Sequence, residues 1–300
     1  MMITRAALAA TLVLCLFAAP FAAEAQQAGK TYRIGVLDTT PVTLNGANLD
    51  AFRQGLRALG YVKGKSFVIE YRWAGAADQF PDLARERVRS KVDLILTRGQ
   101  AAITAAKNAT RTIPIVMAGS GDPLGTGVVT GLARPGGNVT GLSTFVVEVS
   151  GKRVQLLKDA IPGIRRIAAV NSKDRLGGQR WRAIEQSARS MGLEPHLVEI
   201  AKAEDLGPAF DAAIKHRADA VVVGLGPVIQ NNVARVVDLA KKHRLPAVFV
   251  SRELVDAGGL VAYGVNYPDL YRRAATYVDK IFKVRNRATC PSSSRRSSSS

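Results

Sequence analysis

The chain has 300 residues, 47% hydrophobic and only 6% aromatic, with a formal net charge of +18. That length makes one large or two modest domains with ample core. Its two cysteines, Cys15 and Cys290, fall in the terminal segments, which excludes disulfide and thiolate chemistry from the folded body.

The chain opens with Met1-Met2-Ile3-Thr4-Arg5, an apolar run from Ala6 to Ala22, and Ala23-Glu24-Ala25, an A-x-A cleavage site. Residues 1–25 therefore read as a signal peptide and Gln26 as the first mature residue. Leu14 stands before Cys15 where a lipoprotein would need a small residue, and no second stretch is long enough to span a bilayer.

Short runs of Val, Ile and Leu then alternate with amphipathic segments, the pattern of βαβ units and parallel sheets. A first lobe has predicted strands at 32–37, 66–71, 93–97, 114–118 and 139–143, with helices at 45–59, 78–90 and 100–108. Leu49, Phe52, Leu56 and Leu59 share one face of the first helix. Arg134-Pro135-Gly136-Gly137 leads through a last short strand to the boundary of the lobe. A second lobe has predicted strands at 166–170, 194–200, 219–223, 246–250 and 260–264, with helices at 147–160, 175–191, 203–216 and 228–243. Tyr263-Gly264-Val265-Asn266 reads as a second crossing, before a final helix at 268–283. The resulting domains are 31–143 plus 265–283 for lobe one and 144–264 for lobe two, with 284–300 a disordered Ser- and Arg-rich tail.

The two lobes are copies. Ile34, Gly60, Asp93 and Pro114 recur in order as Ile167, Gly192, Asp219 and Pro246, offset by about 130 residues. The fold class is thus α/β, two Rossmann-like doubly wound lobes joined by a hinge, with a ligand cleft between them. Arginines in the tail account for four of the positive charges. The rest are spread singly along helices without interleaved aromatics, a pattern of solvated faces rather than a nucleic-acid surface.

Ligands of doubly wound sheets bind beyond the carboxyl ends of the strands, and those loops come in matched pairs. Lobe one offers Asp38-Thr39-Thr40, Arg98-Gly99-Gln100-Ala101 and Gly119-Ser120-Gly121-Asp122. Lobe two offers Asn171-Ser172-Lys173-Asp174, Gly224-Leu225-Gly226 and Ser251-Arg252-Glu253. Backbone N–H groups and hydroxyls in such loops bind a carboxylate, and Asp122 or Glu253 offers a partner for an ammonium. Singly, each residue reads better as a helix cap or turn; as a set lining one cleft they read as a binding site. Catalytic signals are weak: His196, His216 and His243 lack metal-ligand spacing, and Gly224-Leu225-Gly226 lacks the third glycine of a dinucleotide fingerprint.

One stretch is more specific. Gly121-Asp122-Pro123-Leu124-Gly125-Thr126-Gly127, continued by Leu132-Ala133-Arg134-Pro135-Gly136-Gly137-Asn138-Val139-Thr140-Gly141-Leu142-Ser143, resembles a signature of ABC transporter substrate-binding proteins of the tryptophan/tyrosine type. Tyr32-Arg33-Ile34-Gly35-Val36-Leu37 and Phe52-Arg53-Gln54-Gly55-Leu56-Arg57-Ala58-Leu59-Gly60-Tyr61 are similar to that family's opening. The resemblance covers residues 31–283 and implies the periplasmic-binding-protein type I fold. It further implies a non-enzymatic, periplasmic, monomeric receptor that binds an amino-acid-like or other small polar solute and passes it to a membrane permease. Metal, cofactor, nucleic acid and stable membrane insertion are not expected. Asp38, Thr39, Thr40, Gly99, Gln100, Ala101, Ser120, Gly121 and Asp122 would contact the solute from lobe one. Asn171, Ser172, Lys173, Gly224, Gly226 and Asn266 would do so from lobe two or the hinge. Family members continue past the last helix into a further strand and helix; the sequence from Val284 is what an altered reading frame would produce there. An exported α/β enzyme using the same cleft, and a partner presenting ligand to a membrane sensor, are the other readings.

Overall fold

The strands are β-branched and apolar on both faces, as a sheet covered by helices on each side requires. The structure is a computed structural model, and it describes residues 30–289 apart from Phe145, Val146 and Glu148. The expected signal peptide and the segment from Cys290 onward lie outside the described residues.

Lobe one holds β1 (Tyr32–Asp38), β2 (Phe67–Trp73), β3 (Leu94–Arg98), β4 (Ile115–Ser120) and β5 (Val139–Ser143). Lobe two holds β6 (Arg166–Ser172), β7 (Glu194–Ile200), β8 (Ala220–Val223), β9 (Ala247–Ser251) and β10 (Val261–Val265). All pairings between these strands are parallel. The two sheets have one topology: β2-β1-β3-β4-β5 in the first, β7-β6-β8-β9-β10 in the second. Alternate strand residues enter opposite helical layers. Ile34 and Val36 pack with α1 (Gly46–Ala58), whereas Leu37 and Ile95 pack with α2 (Phe80–Arg89) and α3 (Gln100–Ala109). In lobe two, Ile167 and Ala169 face α4 (Ser150–Ala160) and α5 (Arg175–Ser190). Ala168 and Val170 face α6 (Leu206–Lys215) and α8 (Val233–Lys242).

The repeated landmarks do the same work in each copy. Gly60 and Gly192 adopt φ of 90° and 73° just past α1 and α5. There Tyr61 N and Leu193 N bond back to Leu56 O and Ala188 O, closing the helix ends. The Asp93 carboxylate accepts from Arg33 N, and that of Asp219 from both Arg165 N and Arg166 N, tying adjacent strands at their starts. Pro114 O and Pro246 O receive Ile95 N and Val221 N.

After its fifth strand, each lobe sends the chain across to the other. The chain passes from β5 to α4, which packs on α5, and from β10 to α10 (Tyr267–Thr289), which packs on α1 in the core of lobe one. The helix α10 continues six residues beyond its expected end at 283, so 284–289 are helical rather than tail. The helix expected over 228–243 is broken at Asn232 into α7 (Pro227–Asn231) and α8, because Asn232 leaves helical ψ and turns its side chain onto Val228 O. A short helix, α9 (Arg252–Asp256), stands where a loop was expected.

Candidate ligand site

Loops leaving the carboxyl ends of strands in both sheets border one cavity of about 280 Å³. Thr39, Gly99, Gln100, Ala101, Gly119, Gly121 and Asp122 face it from lobe one. Asp174, Arg175, Arg180, Leu225, Gly226, Pro227 and Gln230 face it from lobe two, and Thr144 and Tyr267 mark the two crossings. Its volume is just below the roughly 300–1,000 Å³ of small-molecule sites, which suits a compact solute.

Seven of the fifteen residues expected from sequence therefore line this cavity: Thr39, Gly99, Gln100, Ala101, Gly121, Asp122 and Gly226. The others lie behind or beside it. Asp38 is fully buried and accepts from Thr40 N at 2.9 Å, Asn45 Nδ2 at 2.9 Å, Arg98 Nε at 3.1 Å and the Tyr271 hydroxyl. Thr40 accepts Tyr71 Oη at its carbonyl and Arg98 Nη2 at its hydroxyl. Ser120 donates to Gln100 Oε1 at 3.0 Å and so orients a lining side chain from beneath. Asn171 and Ser172 are buried under the floor of lobe two, where Ser172 donates to Leu225 O. Gly224 is buried against Asn171, where an added Cβ would fall 2.0 Å from the Asn171 Oδ1. Lys173 is exposed, and Asn266 accepts from Asp269 N in the first turn of α10.

Arg98 anchors lobe one. Burial works against its charge, but the Asp38 carboxylate, with Tyr271, Tyr267 and Glu253, outweighs that and pushes its pKa above the ordinary range. Glu253 adds a second carboxylate at 3.7 Å from the other lobe, and the guanidinium carbon sits 4.4 Å from the Tyr267 ring centroid. Burial pushes the Tyr267 hydroxyl up to about 12, so it is neutral at physiological pH.

Asp122 ties the lobes together. It accepts Arg175 Nη2 at 2.8 Å and Gln179 Nε2 at 3.1 Å, both from α5. Burial would raise its pKa, yet these two donors and Gly125 N together hold the carboxyl below its usual range. Asn231 Nδ2 reaches Ala74 O at 3.4 Å in a further contact between lobes.

The basic residues depart from the expected solvated faces. Arg87, Arg98, Arg153 and Arg180 are each at most 2% exposed. Arg180 shares the buried stripe of α5 with Gly177, Ile184 and Ala188, and Arg153 shares that of α4 with Val154 and Leu157. An arginine on an otherwise small and apolar stripe was the sequence signal for both. The histidines are also closer than their spacing implies: His196 on β7 and His216 after α6 stack at 3.4 Å between centroids, because that helix packs on that strand. They lie away from the cavity, and no group of three or more His, Cys, Asp or Glu among the described residues has the geometry to hold a metal ion. Of the aromatics nearest the predicted loops, Tyr267 lines the cavity, Tyr263 is 40% exposed, and Phe145 lies outside the described residues.

Four known proteins or families resemble this chain. A family model described as ABC transporter substrate binding protein matches residues 43–299. A tyrosine-binding protein of Clostridioides difficile is 24% identical over 244 residues, covering 80% of this chain and 69% of the relative. Among solved structures, a conserved domain protein of Vibrio cholerae superposes with a TM-score of 0.77 at 25% identity, covering 85% of this chain and 86% of that one. An ABC domain from Streptococcus pneumonia, solved in complex with L-Trp, gives a TM-score of 0.75 at 22% identity, with 85% of each chain covered.

Proposed function

The chain belongs to the ABC transporter substrate-binding protein family, and from that premise we propose how it works and what it takes. It captures one small solute in the cavity between its lobes and yields it to the permease of its transporter. A signal peptide over residues 1–25 carries it to the periplasm, and no helix among the described residues is long and apolar enough to cross a membrane. The observation that carries this reading is the cavity itself, walled by matched loops from both lobes and joined by two crossings.

A solute held by both lobes stabilises the closed arrangement through contacts that the open one lacks, so binding drives hinge closure without breaking a bond. The solute is an amino acid or small aromatic compound. The tyrosine-binding relative and the L-Trp complex support that class, as does the mix of Tyr267, Leu225 and Pro227 with polar loop groups around the cavity. Gln100 is poised for the polar part, since Ser120 and Thr126 fix its amide from the lobe-one side. Isothermal titration against the amino acids and small aromatic acids tests the proposal. One solute should bind per chain and be recovered unchanged; turnover, or no binding by any of these compounds, would contradict it.

A further inference from the structure

Asp122 and Arg175 pair across the cavity, but Arg180 in its wall and the buried Arg153 have no ion-pair partner among the described residues. Arg180 is 1% exposed and Arg153 is 0% exposed. Neither makes an ion pair with a carboxylate among the described residues. Arg180 spends Nη2 on Leu225 O at 2.7 Å and Nε on Asn171 Oδ1 at a long 3.5 Å. Arg153 spends Nε on Tyr263 O at 2.8 Å and Nη1 on Ser150 Oγ at 3.2 Å, both neutral acceptors. Its Nη2 is buried with no partner, and so is Asn171 Nδ2 beside Arg180. Every one of these orphaned groups is a donor.

Arginine keeps its charge even when buried, so two such charges side by side are costly unless something negative joins them. Burial and then the charge of Arg180 pull the Arg153 pKa down to about 10, and burial lowers that of Arg180 against the pull of Asp174. The cavity wall gives them little relief. Asp122 is already occupied by Arg175 and Gln179, and Asp174 accepts Gly177 N at 2.6 Å as the cap of α5. Of the lining carboxylates, Asp122 is thus taken, and Asp174 keeps only Oδ2 for a ligand's ammonium. Around this unpaired positive charge the wall is largely hydrocarbon and aromatic, from Leu225, Pro227 and Tyr267.

We propose that Arg180, backed by Arg153, receives the carboxylate of the bound solute, so that the site selects small apolar carboxylates and does not require an amino group. The proposal rests on the reading of this cavity as the ligand site. The planar guanidinium matches a carboxylate in shape, and the water-poor wall strengthens the pair. Arg180 lines the cavity from lobe two, so an anion that also touches lobe one would draw the two together.

The test is isothermal titration of the purified protein with matched acids and amides: benzoate, phenylacetate and 3-phenylpropionate against their carboxamides, with phenethylamine and inorganic phosphate alongside. Small-angle X-ray scattering of the same samples reports closure separately. At least one acid should bind, its amide and phenethylamine about tenfold or more weaker, which is the loss of one charged hydrogen-bonding partner. Arg180→Met should lose that preference while its ligand-free Tm stays level or rises, because the substitution removes a buried unpaired charge. A purely structural arginine would instead lower Tm. Should Arg180→Met fail to fold, Arg180→Lys carries the test, keeping the charge, losing the fork and weakening acid binding. Equal binding of acid and amide, tighter binding of phosphate than of any acid, or an unchanged preference in either variant overturns the inference. Acid binding without contraction supports the inference and defeats the clamp reading; contraction on amide or amine binding does the reverse. No binding by any of the compounds overturns both.

Discussion

Asp219 is an exposed carboxylate that receives two backbone N–H groups, from Arg165 and Arg166, at 2.8 Å each. Those bonds, with the basic side chains around them, hold its pKa below the ordinary value. The sign follows directly: a carboxyl whose folded pKa is depressed adds stability above its unfolded pKa, and that stability fades as acid protonates it. Asp219→Asn should therefore lower Tm near neutral pH, and the gap to wild type should close below about pH 4. Thermal melts across the acid range check this, and a gap independent of pH would refute it. The repeat of Asp93 and Asp219 was legible as sequence, but its meaning as a strand tie needed the neighbouring strand in place. The same holds at the site. Asp38 and Thr39 are adjacent in one loop, yet Thr39 faces the cavity and Asp38 turns inward to Arg98 and Tyr271. Loop membership is written in the sequence; the side on which a residue emerges depends on partners 60 and 233 positions away. The buried arginines escaped for a related reason, since charge was read as exposure.

The element that most constrains lobe one is α10, although it comes last in the chain. It crosses from lobe two and fills the core with Tyr271, Ala274, Val278 and Phe282. Phe282 is fully buried, stacked on the Tyr32 ring at 3.7 Å and 6° between planes. Close approach to α1 depends on Gly55, where an added Cβ would fall 2.6 Å from Arg272 O. Phe282→Ala should cost about 3–5 kcal/mol of unfolding free energy, the range for deleting a buried aromatic ring, measured by chemical denaturation. A loss below about 1 kcal/mol would mean that α10 is a loose appendage rather than core. Strand positions were legible because parallel, two-sided burial makes short Val- and Ile-rich runs unambiguous. Helix ends were less so. Asn232 breaks one helix through a local side-chain bond, and the polar, arginine-rich sequence after Phe282 concealed the last turns of α10.

At the scale of the whole molecule, duplication explains the function. Each copy alone is a sheet with loops at one end; two copies exchanging their last helices become opposed lobes joined by two strands of chain. Contacts from Asp122 to Arg175 and from Arg98 to Glu253 already bridge the gap; the more exposed Asp122–Arg175 pair is worth only about 0–1 kcal/mol, and the Arg98–Glu253 pair is long at 3.7 Å. The matched turns after β2 and β7 carry exposed Asp78 and Glu204, one on each side of the cleft. Spin labels on cysteines at these two positions, with Cys290→Ser, report the distance between lobes by pulsed electron resonance. Adding the tightest-binding amino acid or aromatic acid should narrow that distance distribution and shift it to shorter values. An unchanged distribution at saturating solute would contradict a two-lobe clamp.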